Sequence, residues 1–425
     1  MGRKVKYAVG FYLDDQCTHL PVPINPEYNK NIGLLTGKHM NKKVAIERCP
    51  SYDFDTVYAA LKQAVQASGD LDVAGKTVLL KPNIVFDAPP EKAACTHPEF
   101  LTAAIRLVRE MGARRILVGD SPGLQTPGFS AKVCGLGEAA RQSNAEWVDF
   151  TQSKVEIACL EGKVVKKFTV TRAVEEADCI INLPKLKTHQ LMYFTGAMKN
   201  LFGLIPSVAK STYHVRFPSR KAFASMIVDL NLALAAKPSY AFMDAIIGME
   251  GPGPAAGTPR RIGLVLASSN SLAMDSAASE IIAYPPEEIP VNQDALERGV
   301  WLSKMDEIEY PLLSPLDVRL SDFVKIPFKK SKSQFWDFIL PRPIQAFRDS
   351  FAPKPAINHE RCIRCGDCTR ICASRAMTLD GEGKGKARHV HIDYNRCIRC
   401  FCCHEVCPVN AIDITKRRVR NAVAS

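Results

Sequence analysis

The sequence predicts an α/β protein: a mostly parallel sheet with helices on both faces, followed by a small α+β module rich in cysteine. Three observations carry this. Short apolar runs alternate with amphipathic helical stretches from residue 44 to about 300, the pattern of strands joined by helical crossovers. Nine of the 15 cysteines fall between 362 and 407. Finally, "INHERCIRCGDCTRICASRAMTL" (357–379) aligns without gaps on "IDYNRCIRCFCCHEVCPVNAIDI" (392–414) at a period of 35, which marks a duplicated unit.

Taken in chain order, "KVAIERC" reads as a short strand. The next segment places Phe54, Val57, Tyr58, Leu61 and Val65 on one helical face. "KTVLLKPN" is a buried strand. Thr96 and Glu99 form a capping-box pattern before the helix "FLTAAIRLVREMGA", which Gly112 closes. "RRILVGDSPG", "EWVDF", "DCIINLP", "YAFMDAIIG" and "RIGLVLASS" are further strands, and 222–236 and 271–283 are helical. "KVEIACLEGKVVKKFTV" reads as a hairpin insertion. The segment between the two cysteine runs, "TLDGEGKGKARHVHID", reads as a second hairpin. The expected divisions are an N-terminal extension (1–42), the α/β domain (43–324), an aromatic and basic linker (325–355), the cysteine-rich domain (356–416) and a basic tail (417–425).

Clustered cysteines point to metal binding in a reducing compartment rather than to a disulfide scaffold. No apolar run reaches membrane-spanning length: the longest candidate, "LMYFTGAMKNLFGLIP", is interrupted by Lys199, Asn200 and Pro206. With no apolar signal segment at the start, a cytoplasmic protein is expected. Of the net charge of +12, +7 falls within 354–425, from 14 Lys/Arg and 7 Asp/Glu. The mild excess elsewhere argues against nucleic-acid binding and suits acidic partners or anionic small molecules.

Each repeat spells C-x2-C-x2-C-x3-C, and thiolates are soft ligands matched to iron and sulfide. Zinc, the alternative, prefers paired CxxC knuckles. In the repeat register Cys402 falls on Asp367 and is the odd cysteine. The module resembles the two-cluster bacterial ferredoxins over about 60 residues, with Pro408 after the last cysteine as in that family and Ala373 in place of the first copy's proline. The resemblance implies two [4Fe–4S] clusters, one on Cys362, Cys365, Cys368 and Cys407, the other on Cys397, Cys400, Cys403 and Cys372, and a redox partner protein.

In the larger domain, polar residues gather just after the predicted strands: Lys81 and Asn83; Asp120 and Ser121; Lys185, Lys187 and His189; Asp244 and Glu250; Asn270 and Asp275. Ligands of open α/β sheets bind outside the carboxyl ends of the strands, so a shared cleft is expected there, suited to an anionic ligand. No G-x-G-x-x-G follows a strand, "DLDVAGKT" lacks the first glycine of a P-loop, and no G-x-S-x-G occurs. The series "LLKPNIV", "THPEF", "VGDSPG", "INLPKLKTH", "GAMKNLFG" and "MDAIIGMEGPGP" resembles the bacterial and archaeal family called domain of unknown function 362, which often carries a fused ferredoxin module. That resemblance implies an iron–sulfur protein, typically of anaerobes, and maps recurrent residues onto Lys81, Asn83, His97, Asp120, Lys185, Lys187, His189, Lys199, Asn200 and Asp244.

Three functions stay open at this level: an oxidoreductase whose clusters feed a substrate or cofactor in the cleft, an electron or cluster carrier for a partner enzyme, and a non-redox enzyme with structural clusters. The linker aromatics Phe335, Trp336, Phe338, Phe347 and Phe351 read as a docked connector, with a membrane-surface helix as the alternative.

Overall fold

This computed structural model describes residues 41–124, 126–327, 353–381 and 389–415. The linker aromatics, the extension up to residue 40 and the basic tail lie outside them.

The larger unit is built on one sheet. Its strands are β1 (Ala45–Arg48), β2 (Thr77–Pro82), β3 (Arg115–Val118), β4 (Glu146–Trp147), β7 (Cys179–Leu183), β10 (Ser239–Glu250) and β11 (Thr258–Ser268), in the order β1-β11-β10-β7-β2-β3-β4. Two more strands, β8 (Lys185–His189) and β9 (Tyr193–Thr195), branch from β10. The β10-β7-β2-β3-β4 portion is parallel, whereas β11 runs antiparallel to both β10 and β1. The expected hairpin is β5 (Lys154–Ala158) paired with β6 (Lys167–Thr171).

Both faces are covered, and β2 shows why. Its side chains alternate, so Val78 and Leu80 join one core while Leu79 joins the other. The first core packs the helices Phe54–Ser68 and Pro98–Glu110, through Val57, Leu61, Phe100, Leu101 and Val108. The second packs Arg220–Leu234 and Ser271–Ile281, through Phe223, Ile227, Leu272 and Ile281. A strand buried on both faces is mostly apolar, which is why β2 and β7 read as apolar runs until Lys81 and Asn182 near their carboxyl ends.

Two local expectations are corrected. The helix Pro98–Glu110 is capped by His97, whose Nδ1 accepts from Glu99 N at 3.2 Å. Thr96 instead donates its hydroxyl to Leu183 O at 2.8 Å and accepts from Asn83 N, tying β2's exit to β7. The second correction concerns Lys185, Lys187 and His189. They do not sit in a loop after β7; they form β8, every residue of which is buried.

The cysteine-rich unit repeats in backbone as well as in sequence. β12 (Lys354–Ile357) pairs antiparallel with β15 (Ile412–Thr415), and β13 (Met377–Asp380) with β14 (His389–Ile392), the second of the expected hairpins. Left-handed residues recur at the same 35-residue offset: Arg364 and Arg399, Gly366 and Phe401, Arg375 and Asn410. The short helices Asp367–Ile371 and Cys402–Glu405 begin at equivalent positions, so Cys402 stands where the first copy has Asp367.

Candidate functional site

The parallel strands bring their carboxyl ends to one edge. Lys81 lies near the end of β2, and Asp120 follows β3. Lys81 Nζ contacts Asp120 Oδ1 at 2.8 Å and donates to Pro82 O at 2.7 Å; Asp120 accepts the amides of Ile84 and Ser121 at 2.6 and 2.7 Å. Both side chains are fully buried. The short 3-10 helix Leu201–Leu204 carries Gly203 across this pair so closely that a Cβ there would collide with both side chains.

Behind the pair runs a line of amides. Lys187 Nζ donates to Asn83 Oδ1 at 2.6 Å and to Ala94 O; Asn83 Nδ2 donates to Asn200 Oδ1 at 2.7 Å; Asn200 Nδ2 donates to Asn182 Oδ1 at 2.7 Å. Asn200 and Lys199 sit on the short helix Ala197–Asn200. Its first amides are capped by buried Asp275, which accepts from Ala197 N at 2.5 Å and Met198 N at 3.1 Å. A Cβ on Gly196 would strike that carboxylate.

A cavity of about 110 Å³ opens at this edge. Lys81, Asn83, Asp120, Lys199 and Asn200 line it, as expected from the sequence. Lys210, Ser211 and His214 from the helix Ser207–Arg216 also line it, together with Ser121 and Phe202. The cysteine-rich unit supplies part of the wall: Ile371, Cys402, Glu405 and Val406. Burial pushes Lys210 down to about 7 and Lys199 downward, and burial together with the two lysines pushes His214 down to about 3.

The other expected residues lie elsewhere. Lys185 and Asp244 form a buried pair at 2.8 Å, bridged by the Tyr52 hydroxyl, which donates to Asp244 at 2.7 Å and lies 2.6 Å from Lys185 Nζ. His97 stacks on Tyr52 at 3.6 Å, and burial pushes its imidazole down to about 4. This group does not line the cavity. Glu250, at the end of β10, accepts from Val324 N at 3.0 Å and is also outside it. Lys187 is one bond behind the wall, and burial pushes it down to about 7. His189 Nδ1 accepts from Leu191 N at 3.1 Å, which leaves Nε2 to face Glu405 Oε1 at 3.2 Å across the two units. A second bond between the units runs from buried His404, whose Nε2 lies 3.1 Å from Pro252 O while its Nδ1 lies 2.6 Å from Ile412 O.

Lys210 and His214 went unread in the sequence. Their signal is an i, i+4 pair of basic residues on a polar helix, which puts both on one face.

Two smaller cavities occupy the cysteine-rich unit. One, of about 20 Å³, is lined by Cys362, Cys365, Cys368 and Cys407; the other, of about the same volume, by Cys372, Cys397, Cys400, Cys402 and Cys403. Leaving aside Cys402, the fifth thiol of the second cavity, each has four thiols from two segments of chain, the donor set that suits an iron–sulfur cluster. Backbone amides donate to the crossing thiols at matched positions, Ala376 N to Cys372 Sγ at 3.2 Å and Ala411 N to Cys407 Sγ at 3.1 Å. Among the described residues no three His, Cys, Asp or Glu side chains are grouped to hold a single metal ion. No described helix is long and apolar enough to cross a membrane.

The chain is 29% identical over 311 residues to the thylakoid-associated protein sll1697 of Synechocystis sp., covering 72% of this chain and 94% of that one. Among solved structures it is similar to a Thermotoga maritima protein (15% identity, TM-score 0.33, 55% of this chain) and to the lactate racemase apoprotein of Thermoanaerobacterium thermosaccharolyticum (15% identity, TM-score 0.34, 53% of this chain). The chain spans 59% and 54% of those two, and neither likeness bears on function. Residues 78–280 match the family described as domain of unknown function (DUF362), and residues 361–411 match the 4Fe-4S dicluster domain. The chain therefore joins a DUF362 domain to a C-terminal domain of the 4Fe-4S dicluster family.

Proposed function

We propose that this is an iron–sulfur electron-transfer protein that delivers electrons to an anionic ligand held between its two units, in a reducing compartment such as the cytoplasm. In this reading Cys362, Cys365, Cys368 and Cys407 hold one [4Fe–4S] cluster, and Cys372, Cys397, Cys400 and Cys403 hold the other. Such clusters, when bound, supply one-electron transfer. The observation that carries the reading is Cys402: it lines both the second thiol cavity and the strand-end cavity, so one side chain separates them. The protein's own part is to hold the thiols, keep the second set walled off from bulk water, and orient the ligand against that wall.

A carrier role for a partner enzyme is the second reading. It is favoured by Cys365, the exposed member of the first set, beside Ile363, which is 58% exposed. There a redox partner protein reaches the first thiol cavity.

Anaerobic analysis should find about eight iron and eight sulfide per chain. Cys402→Ala should keep both clusters, whereas Cys400→Ala should lose one, as read by iron content and EPR of the reduced protein. Loss of a cluster on changing Cys402 would refute the ligand assignment. Reoxidation of dithionite-reduced protein by a small anionic ligand alone supports internal delivery; reoxidation only by a partner protein supports the carrier.

A further inference from the structure

The strand-end cavity is short of negative charge. Three lysines line it, and two carboxylates, Asp120 and Glu405. Asp120 is committed to Lys81, with its remaining bonds taken by the amides of Ile84 and Ser121. Glu405 faces His189 at 3.2 Å, but burial keeps that imidazole neutral, so the carboxylate's charge is offset chiefly by Lys199. Lys199 makes no hydrogen bond or ion pair among the described residues. Lys210 donates to one backbone carbonyl, that of Ser121, which leaves an ammonium with donors to spare. His214 is 9% exposed, and its Nδ1 has no partner among the described residues. A buried polar group without a partner costs free energy, and so does burial of two ammonium groups whose only counter-charges, Glu405 for Lys199 and Asp120 for Lys210, make no direct ion pair with them.

Part of the wall is apolar: Ile84, Val85 and Phe202 from the larger unit, Ile371 and Val406 from the smaller. The last two close over Gly123, at whose α-carbon an added methyl would lie 3.8 Å from each. A polar head is therefore recognised on one side and an apolar body on the other.

We propose that the cavity takes an oxyanion with an apolar body, its carboxylate or phosphate held by Lys199, Lys210 and His214 and its body laid against Phe202, Ile371 and Val406. This deepens the reading above, because it names the class of ligand that meets the Cys402 wall. Lys81 is not the anion's partner in this arrangement; it serves the wall through Asp120. Recognition is shared between the units, so the ligand also bridges them.

The test is calorimetric titration of the cluster-containing full chain with phenyl phosphate, benzoate and inorganic phosphate, with Lys62→Gln, on an exposed helix face, as control. One equivalent of phenyl phosphate or benzoate should bind, at least tenfold tighter than inorganic phosphate. Whichever aromatic probe binds tighter identifies the head group. Lys210→Gln and Lys199→Gln should each weaken binding at least tenfold, Lys210→Arg should restore most of it, and Lys62→Gln should change nothing. Should Lys210→Gln lose the cluster absorbance, Lys199→Gln carries the comparison. Binding of neither aromatic probe, or equal loss in the Lys62 control, overturns the inference. An intact two-cluster EPR signal with no anion binding defeats this inference alone; tight binding in a protein that never passes electrons to any ligand defeats the electron-delivery reading alone.

Discussion

At the scale of single residues, close approach explains more than charge does. Gly196 and Gly203 are fixed by the carboxylates they skirt, Asp275 and Asp120, and not by any turn. The lysines differ by surroundings: Lys81 and Lys185 each have a carboxylate at 2.8 Å, while Lys210 has none that close. Burial holds Lys210 near 7; Asp120 pulls its pKa up, and Lys81 and Lys199 push it down, with His214 one turn along the same helix. An anion binds the protonated form. Affinity for benzoate, whose own charge is constant above pH 6, should be highest near pH 6. It should fall by up to about tenfold per pH unit above 7, as the free ammonium is lost before binding. Titrations at pH 6, 7 and 8.5 measure the slope, which should flatten in Lys210→Gln.

At the scale of elements, the helix Ala197–Asn200 is the part to disturb. It is too short to be stable by itself, and it stands on Asp275. Asp275→Ala leaves two buried amides without that acceptor, at a cost of about 1–3 kcal/mol each. It should lower the urea midpoint and weaken benzoate binding through Lys199, with Asp275→Asn intermediate because one oxygen remains. The sequence announced β2, β3, β7, β10 and β11 well, since strands buried on both faces carry runs of several consecutive apolar residues. It hid β8, because "KLKTH" has the composition of a surface turn. Burial of those lysines depends on Asp244, Asn83 and Ala94, which lie 59, 104 and 93 positions away. Pairing at such separation leaves no local pattern. The cysteine sets were legible for the opposite reason: spacing within 11 residues, doubled at a fixed period, is local information.

At the scale of the molecule, the two units meet through few polar contacts, of which His404 to Pro252 is the most direct. Pro252 lies in the turn after β10, where Gly253 N donates to Thr188 Oγ1 at 3.2 Å. His404→Ala should raise amide hydrogen exchange around residues 248–256 by about three- to tenfold, the effect of losing one net hydrogen bond. Saturating phenyl phosphate should partly reverse the increase, because the ligand touches both units. Exchange rates unchanged by the substitution would mean that apolar contacts around Gly123 hold the units together unaided.

The crossing of cysteines between cavities also has a consequence in time. Cys362, Cys365 and Cys368 share their cavity with Cys407, which is made 39 residues after Cys368. At about 5–20 residues per second, synthesis leaves the first three thiols waiting about 2–8 seconds for the fourth. Cys372 arrives early and must wait for Cys397, Cys400 and Cys403 in turn. Neither pocket can close before the other is nearly complete, so a nascent chain exposes several reactive thiols together during that interval. A cell making this protein in the presence of oxygen would lose it at birth more readily than after assembly.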